Sequence, residues 1–453
     1  MSTLKELTSK PVLFDVVIVG AGPSGSACAY WLAQAGWSVC LIEKKDFPRE
    51  KTCGDGLTPR AVHQLAQMGL EPTVAAHGHR YSGLRAFGFG ASLELNWPEH
   101  AIFPNYGYTI TRFNLDGLVA EQAVAHGAVL LNAVEAVGLL DETEAANDGL
   151  MGAAGVVVKE KETGATGEIR GRYLVVGDGQ NSRLGRDLGT TRNRSWPMGM
   201  ALRGYYTSER HDEPWIDSHL DIRDPHGAVV PGYGWIFPLG DGRVNVGVGL
   251  LSTDGAWKGV NTTKLQEYFV AQTADAWGLS EATSCGPPTG GRLPMGLAIG
   301  PRVGANTMII GDAAGTVNPF NGEGIAYGYE TGRLGASVLG EALLTDNPSM
   351  LALYDERLEL AYGDYFKVAR AFVRLISEPK ILTVCLSAGL RIEPLMRQLL
   401  TIMANLMRND KKGPAEIGYR ALSRLADVIP EQAYAMLLGN RSSEHASEQH
   451  ARL

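Results

Sequence analysis

Four stretches of this chain hold side chains whose types and spacing could do chemistry. The first is the set Gly20, Gly22 and Gly25, in G-x-G-x-x-G spacing, which follows the β-branched run Phe14 to Val19 and opens a helix-like stretch to Ala35. Gly20 permits a tight turn, Gly22 lets a pyrophosphate approach the backbone, and Gly25 lets the helix pack on the strand. The helix N-terminus, beginning at Pro23 and Ser24, supplies free N–H groups. Glu43, followed by Lys44, ends a second strand, VCLIE, and stands where an acid would bind a ribose hydroxyl. The second stretch is KTCGDG, Lys51 to Gly56, with a thiol at Cys53 and a carboxyl at Asp55 between Gly54 and Gly56. A lone cysteine is ordinarily a small buried hydrophobe whose reactivity follows its pKa, and nearby Arg49 and Lys51 favour an active role. Asp55 is either part of that chemistry or a turn former, the common use of Asp before Gly. The third comprises two more strand ends, Asp178 after YLVVG and Gly311-Asp312 after TMII, which carry carboxylates where open α/β sheets bind ligands. Each alone reads more readily as a helix N-cap. The fourth is PGYGWIFP, Pro231 to Pro238, in which Tyr233, Trp235 and Phe237 recur at period two and would share one face of a strand. Such a stripe is ordinarily core.

The elements that must position these groups follow from periodicity. Residues 81 to 111 alternate short apolar runs with Gly, Asn and Pro, as strands of a separate sheet do. Arg112 and Asp116 open a helix, and 128 to 179 returns to strands, with a hairpin leading to Asp178; the acidic stretch 141 to 154 reads as a surface loop. From Met198 to Leu251 the pattern is mainly period two, clearest in RVNVGVGL, with a helix at Thr262 to Trp277. A buried strand at Thr307 to Ile310 precedes GDAAGTVNPFNGEGI and a long helix whose Gly328, Gly332 and Gly335 suit close packing. The expected organisation is a discontinuous nucleotide-binding domain (1–80, 112–190, 300–346), a β-rich substrate domain (81–111, 191–299), a helical region (347–430) and a disordered tail (431–453).

Composition narrows the functions. A net charge of -8, with no basic cluster among aromatics, argues against nucleic acid. Five scattered cysteines without C-x-x-C pairs suggest neither a disulfide framework nor a metal site, and a reducing compartment is expected. The first ten residues lack a signal peptide's apolar core, and no stretch has the roughly eighteen apolar residues of a membrane span.

Taken in this order, the strand ends resemble the glutathione-reductase-like FAD fold shared by aromatic hydroxylases and geranylgeranyl reductases. KTCGDG and PGYGWIFP are similar to the cysteine loop and the Y-x-W-x-F-P signature of the geranylgeranyl reductase family, most of all its menaquinone-acting actinobacterial branch. The resemblance implies an α/β fold: a Rossmann-like FAD-binding domain, an inserted antiparallel β-sheet substrate domain and a C-terminal helical region. It implies FAD held by Gly20, Gly22, Pro23, Ser24, Gly25, Glu43, Lys44, Arg112, Asp178, Gly311 and Asp312. Cys53 to Gly56, Gly322, Gly324 and Ile325 would lie near the reactive ring, and Tyr233, Trp235, Phe237 and Pro238 would form a wall for an isoprenoid.

The implied reaction saturates one double bond in the polyprenyl side chain of menaquinone, with reduced FAD as hydride source and Cys53, or a water held near Asp55, as proton source. The electron donor stays open between NAD(P)H and a reduced ferredoxin-like protein. Rival readings are reduction of another isoprenoid lipid, an FAD-dependent aromatic monooxygenase, and a flavin electron-transfer or lipid-carrying protein without turnover. Basic and apolar residues alternate through the C-terminal helices. That pattern fits either a peripheral contact with the inner face of the cell membrane or a buried bundle.

Overall fold

Leu13–Val19 carries no polar side chain after Asp15, and a β-branched run of that kind is stable only when covered on both faces, as in a central parallel strand. Val16, Val17 and Ile18 are fully buried. The computed structural model describes residues 4–9, 12–144, 149–224, 226–252, 260–408 and 413–428; the tail expected at 431–453 lies outside them.

Leu13–Val19 runs parallel to Val39–Ile42 on one side and to Thr166–Val176 on the other. The whole sheet reads Val129–Leu131, Val39–Ile42, Leu13–Val19, Thr166–Val176, Gly155–Glu160, Val134–Leu140. Thr166–Val176 serves two further neighbours. Its first half forms a hairpin with Gly155–Glu160, and its last three residues pair in parallel with Thr307–Ile309. Val19, Ile42, Val176 and Ile309 therefore stand in one register row. The glycine turn, Glu43, Gly177-Asp178 and Gly311-Asp312 consequently leave the sheet side by side.

A second seven-stranded sheet has the order Thr289–Pro294, Met198–Thr207, Arg243–Ser252, Gly232–Pro238, Trp215–His219, Gly83–Gly88, Ala91–Asn96. It is antiparallel except between Trp215–His219 and Gly83–Gly88. Residues 107–109, which the sequence groups with this sheet, pair instead with Gly56–Leu57 and His79–Tyr81 in a small sheet of three. There the Ile110 N–H donates to the Asp55 carbonyl at 3.0 Å, which ties the strand to the cysteine loop. The stretch 141–154 is not wholly surface either. Leu150 and Ala153 are buried, because Thr143 pairs with Gly152 and the Ala153 N–H donates to Asn306.

Helices Asp364–Ile376, Pro379–Gly389 and Glu393–Met403 follow the long helix Ile325–Thr345. Among the described residues no helix is long and apolar enough to cross a membrane. The long helix lies against Pro23–Gln34 through its glycines: a Cβ at Gly328 would stand 3.2 Å from the Pro23 Cβ, and one at Gly332 2.3 Å from the Ser24 carbonyl oxygen. At Gly332 the contact is backbone on backbone, so neither side can yield. Gly332→Ala is expected to destabilise the protein by about 1–3 kcal/mol, the usual range for overpacking, as measured by urea denaturation, despite the better helix propensity of alanine.

Candidate active site

The row of strand ends opens into a cavity of about 700 Å³ that continues along the second sheet to the C-terminal helices. At the strand-end side, Gly20 adopts φ +100, and a Cβ there would lie 2.5 Å from the Gly177 carbonyl oxygen. Gly25 admits no Cβ, because the Gly20 carbonyl oxygen would be 1.8 Å away, whereas nothing stands within 4 Å of Gly22 on its side-chain side. Gly22 is the N-cap of Pro23–Gln34 and offers no side chain to the first N–H groups, so the helix presents them uncapped at the cavity. Ser24 also lines the cavity. Gly25 and Gly311 do not; Gly311, at φ +63, makes room for the Ser24 side chain.

A chain of buried polar groups runs from this turn to the second sheet. Glu43 Oε2 accepts from the Ala21 N–H at 3.1 Å and from Arg49 at 3.2 Å, and its Oε1 accepts from the Lys45 N–H. Arg49 also contacts Asp116 at 2.8 Å, and Asp116 receives Arg112 through two bonds of 2.6 and 2.7 Å. The Arg112 backbone N–H donates to Asp55 Oδ1 at 3.2 Å. Asp55 Oδ2 accepts from the Tyr205 hydroxyl at 2.6 Å and from Asn245 Nδ2 at 2.8 Å. Asn245 Oδ1 accepts from the Trp235 indole at 2.9 Å.

This arrangement corrects two expectations for the cysteine loop. Asp55 is fully buried behind the loop, does not line the cavity, and has both oxygens hydrogen-bonded, so it is an anchor with φ +64 that stands back from the space where the substrate would lie. Burial raises its carboxyl to about 6, against the bonds from Tyr205 and Asn245. Arg49 turns to Glu43 and Asp116 and away from Cys53; burial pushes the Cys53 thiol up, opposed by Arg112, and Lys51 also stands near the thiol. Cys53 and Gly54 do line the cavity. Lys51 lies near Asp312 and Arg112, and burial lowers its ammonium pKa. Asp178 faces the cavity with Oδ1 unpartnered, and burial raises its carboxyl. Asp312, Gly322, Gly324 and Ile325 line the same space.

Tyr233, Trp235 and Phe237 form one face of Gly232–Pro238 toward the cavity, with ring centroids 5.8 and 6.3 Å apart. Pro238 does not belong to that wall: it falls on the opposite face, and its carbonyl accepts from the Thr109 hydroxyl. Trp235 can lie flat because the next strand has Gly247 beneath it, where a Cβ would meet the indole at 2.2 Å, with Gly249 alongside. Phe237 lies over Gly54 and Gly56, at 3.2 and 3.0 Å from where their Cβ atoms would be. The far end of the cavity is closed by Phe372, Leu382, Leu386, Met396, Leu400 and Met403 of the C-terminal helices.

A sequence profile described as "FAD binding domain" matches residues 14–221. Menaquinone reductase of Mycobacterium tuberculosis is 42% identical over 422 residues, covering 92% of this chain and 98% of the relative. Digeranylgeranylglycerophospholipid reductase 1 of Methanopyrus kandleri is 30% identical over 373 residues, 81% of this chain and 91% of the relative. The chain belongs to the geranylgeranyl reductase family. A solved geranylgeranyl bacteriochlorophyll reductase-like protein of Thermoplasma acidophilum shares the fold, with a TM-score of 0.70 at 19% identity over 90% of this chain and 99% of that one.

Members of this family are FAD-dependent oxidoreductases, and FAD is the cofactor of this one. The residues present fit it: the bare face over Gly22 and the uncapped helix N-terminus suit a pyrophosphate, and the unpartnered Asp178 Oδ1 is a free acceptor. Reading the sequence missed Tyr205 and Asn245, which hold Asp55, and Glu323, which lines the cavity. The asparagine inside the apolar run VNVGVGL and the acid between two glycines were the available signals. Asp55→Ala would strand the Tyr205 hydroxyl and the Asn245 amide. It is expected to cost about 2–4 kcal/mol, two lost bonds to a buried charged group, read as a lowered urea midpoint with FAD released earlier than in the unaltered protein.

Proposed function

We propose that this protein saturates one carbon–carbon double bond in the polyprenyl side chain of menaquinone. The observation that carries the reading is one continuous cavity with the cofactor turn at one end and, beyond it, a wall of Tyr233, Trp235 and Phe237 leading to leucines and methionines of the helical region. That shape accepts a long apolar chain threaded past a flavin. Identity of 42% to a menaquinone reductase, against 30% to a reductase of a glycerophospholipid, favours the quinone among isoprenoid lipids.

Bound and reduced, FAD would supply the hydride, and with it the two electrons, that an isolated alkene requires and no side chain can provide. Gly20, Gly22, Pro23, Ser24, Glu43 and Lys44 would hold its dinucleotide part. Arg112, Asp178 and Asp312 would bind along it, and Cys53, Gly54, Gly322, Gly324 and Ile325 would surround the ring. The Tyr233 hydroxyl donates to the Asn321 carbonyl at 2.8 Å, which fixes that ring against the turn before the long helix. The three rings exclude water from the reacting carbons. Cys53, with its thiol pKa raised, keeps its proton at neutral pH and contributes a small apolar surface.

Incubating dithionite-reduced protein with menaquinone without oxygen should give a quinone heavier by two hydrogens, and fragmentation along the tail would locate the reduced unit. An unchanged mass sinks the reading; a product heavier by one oxygen in air points to a monooxygenase.

The helical region supports a peripheral position on the membrane. Leu382 and Leu386 line the cavity while Val384, on the other side of the same helix, is 68% exposed, and Ile392 and Leu395 are exposed in the next. Exposed Lys380 and Arg391 stand beside these residues in the chain and suit an anionic surface. Replacing Val384 and Leu395 together by Asp should weaken flotation with vesicles containing anionic lipid about tenfold or more, each apolar side chain being worth roughly 1.5–3 kcal/mol when buried. Turnover of a detergent-dispersed quinone should be unchanged; undiminished flotation would exclude these helices as the contact.

A further inference from the structure

The cavity wall holds a carboxyl group that the reading above leaves unused. Glu323 lies between Gly322 and Gly324, at the turn that opens the long helix, and faces the cavity. The turn is rigid: the Glu323 N–H donates to Asn321 Oδ1 at 3.0 Å and its carbonyl accepts from the Asn318 N–H at 2.9 Å. The Thr58 hydroxyl donates to Oε1. Oε2 is shut off from solvent and has no hydrogen-bond partner. An ionised carboxylate would leave charge on that bare oxygen at high cost. A neutral acid avoids it, with Oε1 as the carbonyl that accepts from Thr58 and the proton on Oε2.

We propose that Glu323 is the catalytic acid of this site and protonates the substrate alkene from the side walled by Tyr233. The proposal rests on the isoprenoid-reductase reading. The other proton-bearing groups of the wall are less suited. The Tyr233 hydroxyl is spent on Asn321 and its pKa is pushed up to about 12. The Cys53 thiol is raised by burial, and Lys51 lies toward Asp312 and Arg112. Burial pushes Glu323 up to about 7, with Thr58, Arg60 and Asn321 pulling down and Glu330 pushing up. Tyr81, Tyr327 and Tyr365, from packed elements, also feel its charge, and burial raises all three phenols, which stay neutral. An acid of that strength is still protonated near neutrality and gives its proton up far more readily than a thiol or phenol.

In the step, the Glu323 side chain turns about its own bonds to bring Oε2 to the cavity; the Oε2–H bond breaks and the proton forms a C–H bond with the less substituted alkene carbon, using the alkene π pair. The other carbon gains the hydride, and with it two electrons, that the reduced flavin supplies. Glu323 is left as a carboxylate and regains a proton from water after product leaves. A ring face of Tyr233 or Trp235 turned to the more substituted carbon would stabilise positive charge there.

Glu323→Gln keeps the volume and the bond from Thr58. It should lower single-turnover reduction of menaquinone by pre-reduced holoenzyme at least about 100-fold while FAD content and visible spectrum stay unchanged. The unaltered enzyme should lose rate as pH rises through about 7, because the acid must be protonated, and Thr58→Val, which removes a bond favouring the ionised form, should move that break upward. Infrared spectra of the substrate-free holoprotein should contain a carboxylic C=O band at neutral pH that Glu323→Gln removes. Should the glutamine variant not fold, the infrared titration and the Thr58→Val shift decide. Undiminished turnover in Glu323→Gln, a Glu323 already ionised at about pH 6, or a loss confined to Cys53→Ser would each overturn the assignment. Unaltered protein that leaves menaquinone untouched would instead refute the substrate reading, and the infrared band judges Glu323 independently of it.

Discussion

The site depends on one buried run of charges and amides: Glu43, Arg49, Asp116, Arg112, Asp55, Asn245, Trp235. In its ion pairs, Glu43–Arg49–Asp116–Arg112, removing one partner leaves the other charged and unpaired in a poor solvent, a loss of about 3–5 kcal/mol. Its importance lies in geometry more than in net stability, since a well-packed apolar substitute for a buried ion pair is often as stable. The run ties the nucleotide turn to the aromatic strand of a different sheet across the cysteine loop. The distance between the cofactor end and the substrate wall is thereby set by hydrogen bonds, which have narrow length preferences, and not by packing alone.

The same logic explains why the first sheet is built from distant pieces of chain. Four parallel strands end in one row, three of them in short glycine-bearing turns and the fourth at Glu43. Ladder register does the alignment, so three carboxylates separated by more than two hundred positions in the chain converge without any loop having to be long. The glycine-to-backbone contact between Pro23–Gln34 and Ile325–Thr345 then locks the last of these turns against the first.

Much of this was legible in the sequence, for identifiable reasons. The nucleotide turn was readable because its glycines answer to local backbone geometry, and the aromatic face because a strand's period is two. What stayed hidden depends on contacts across the chain. Asp55 has the same neighbours in sequence whether it faces a cavity or is roofed by Tyr205 and Asn245, some 150 and 190 positions away. Arg49 looked like an activator of Cys53 until its two carboxylate partners were placed. Pro238 belongs to the signature but stands on the wrong side of the strand for a wall. Glu323 drew no notice because glycines on both sides disguise an acid as turn material. The role of the helical region as the far end of the cavity could not be read from amphipathicity, which is the same for a bundle and for a lid over a lipid.

Gly247 and Gly249, under the Trp235 indole, have a further consequence. The height at which the Trp235 ring stands over the neighbouring strand is set by side chains that are missing. A ring that rests on bare backbone cannot sink further, and it can rise only if something grows beneath it. The strand therefore acts as a fixed gauge on which the aromatic strand is laid, and selection for thicker or thinner lipid tails could act at these two positions without touching any residue that meets the cofactor.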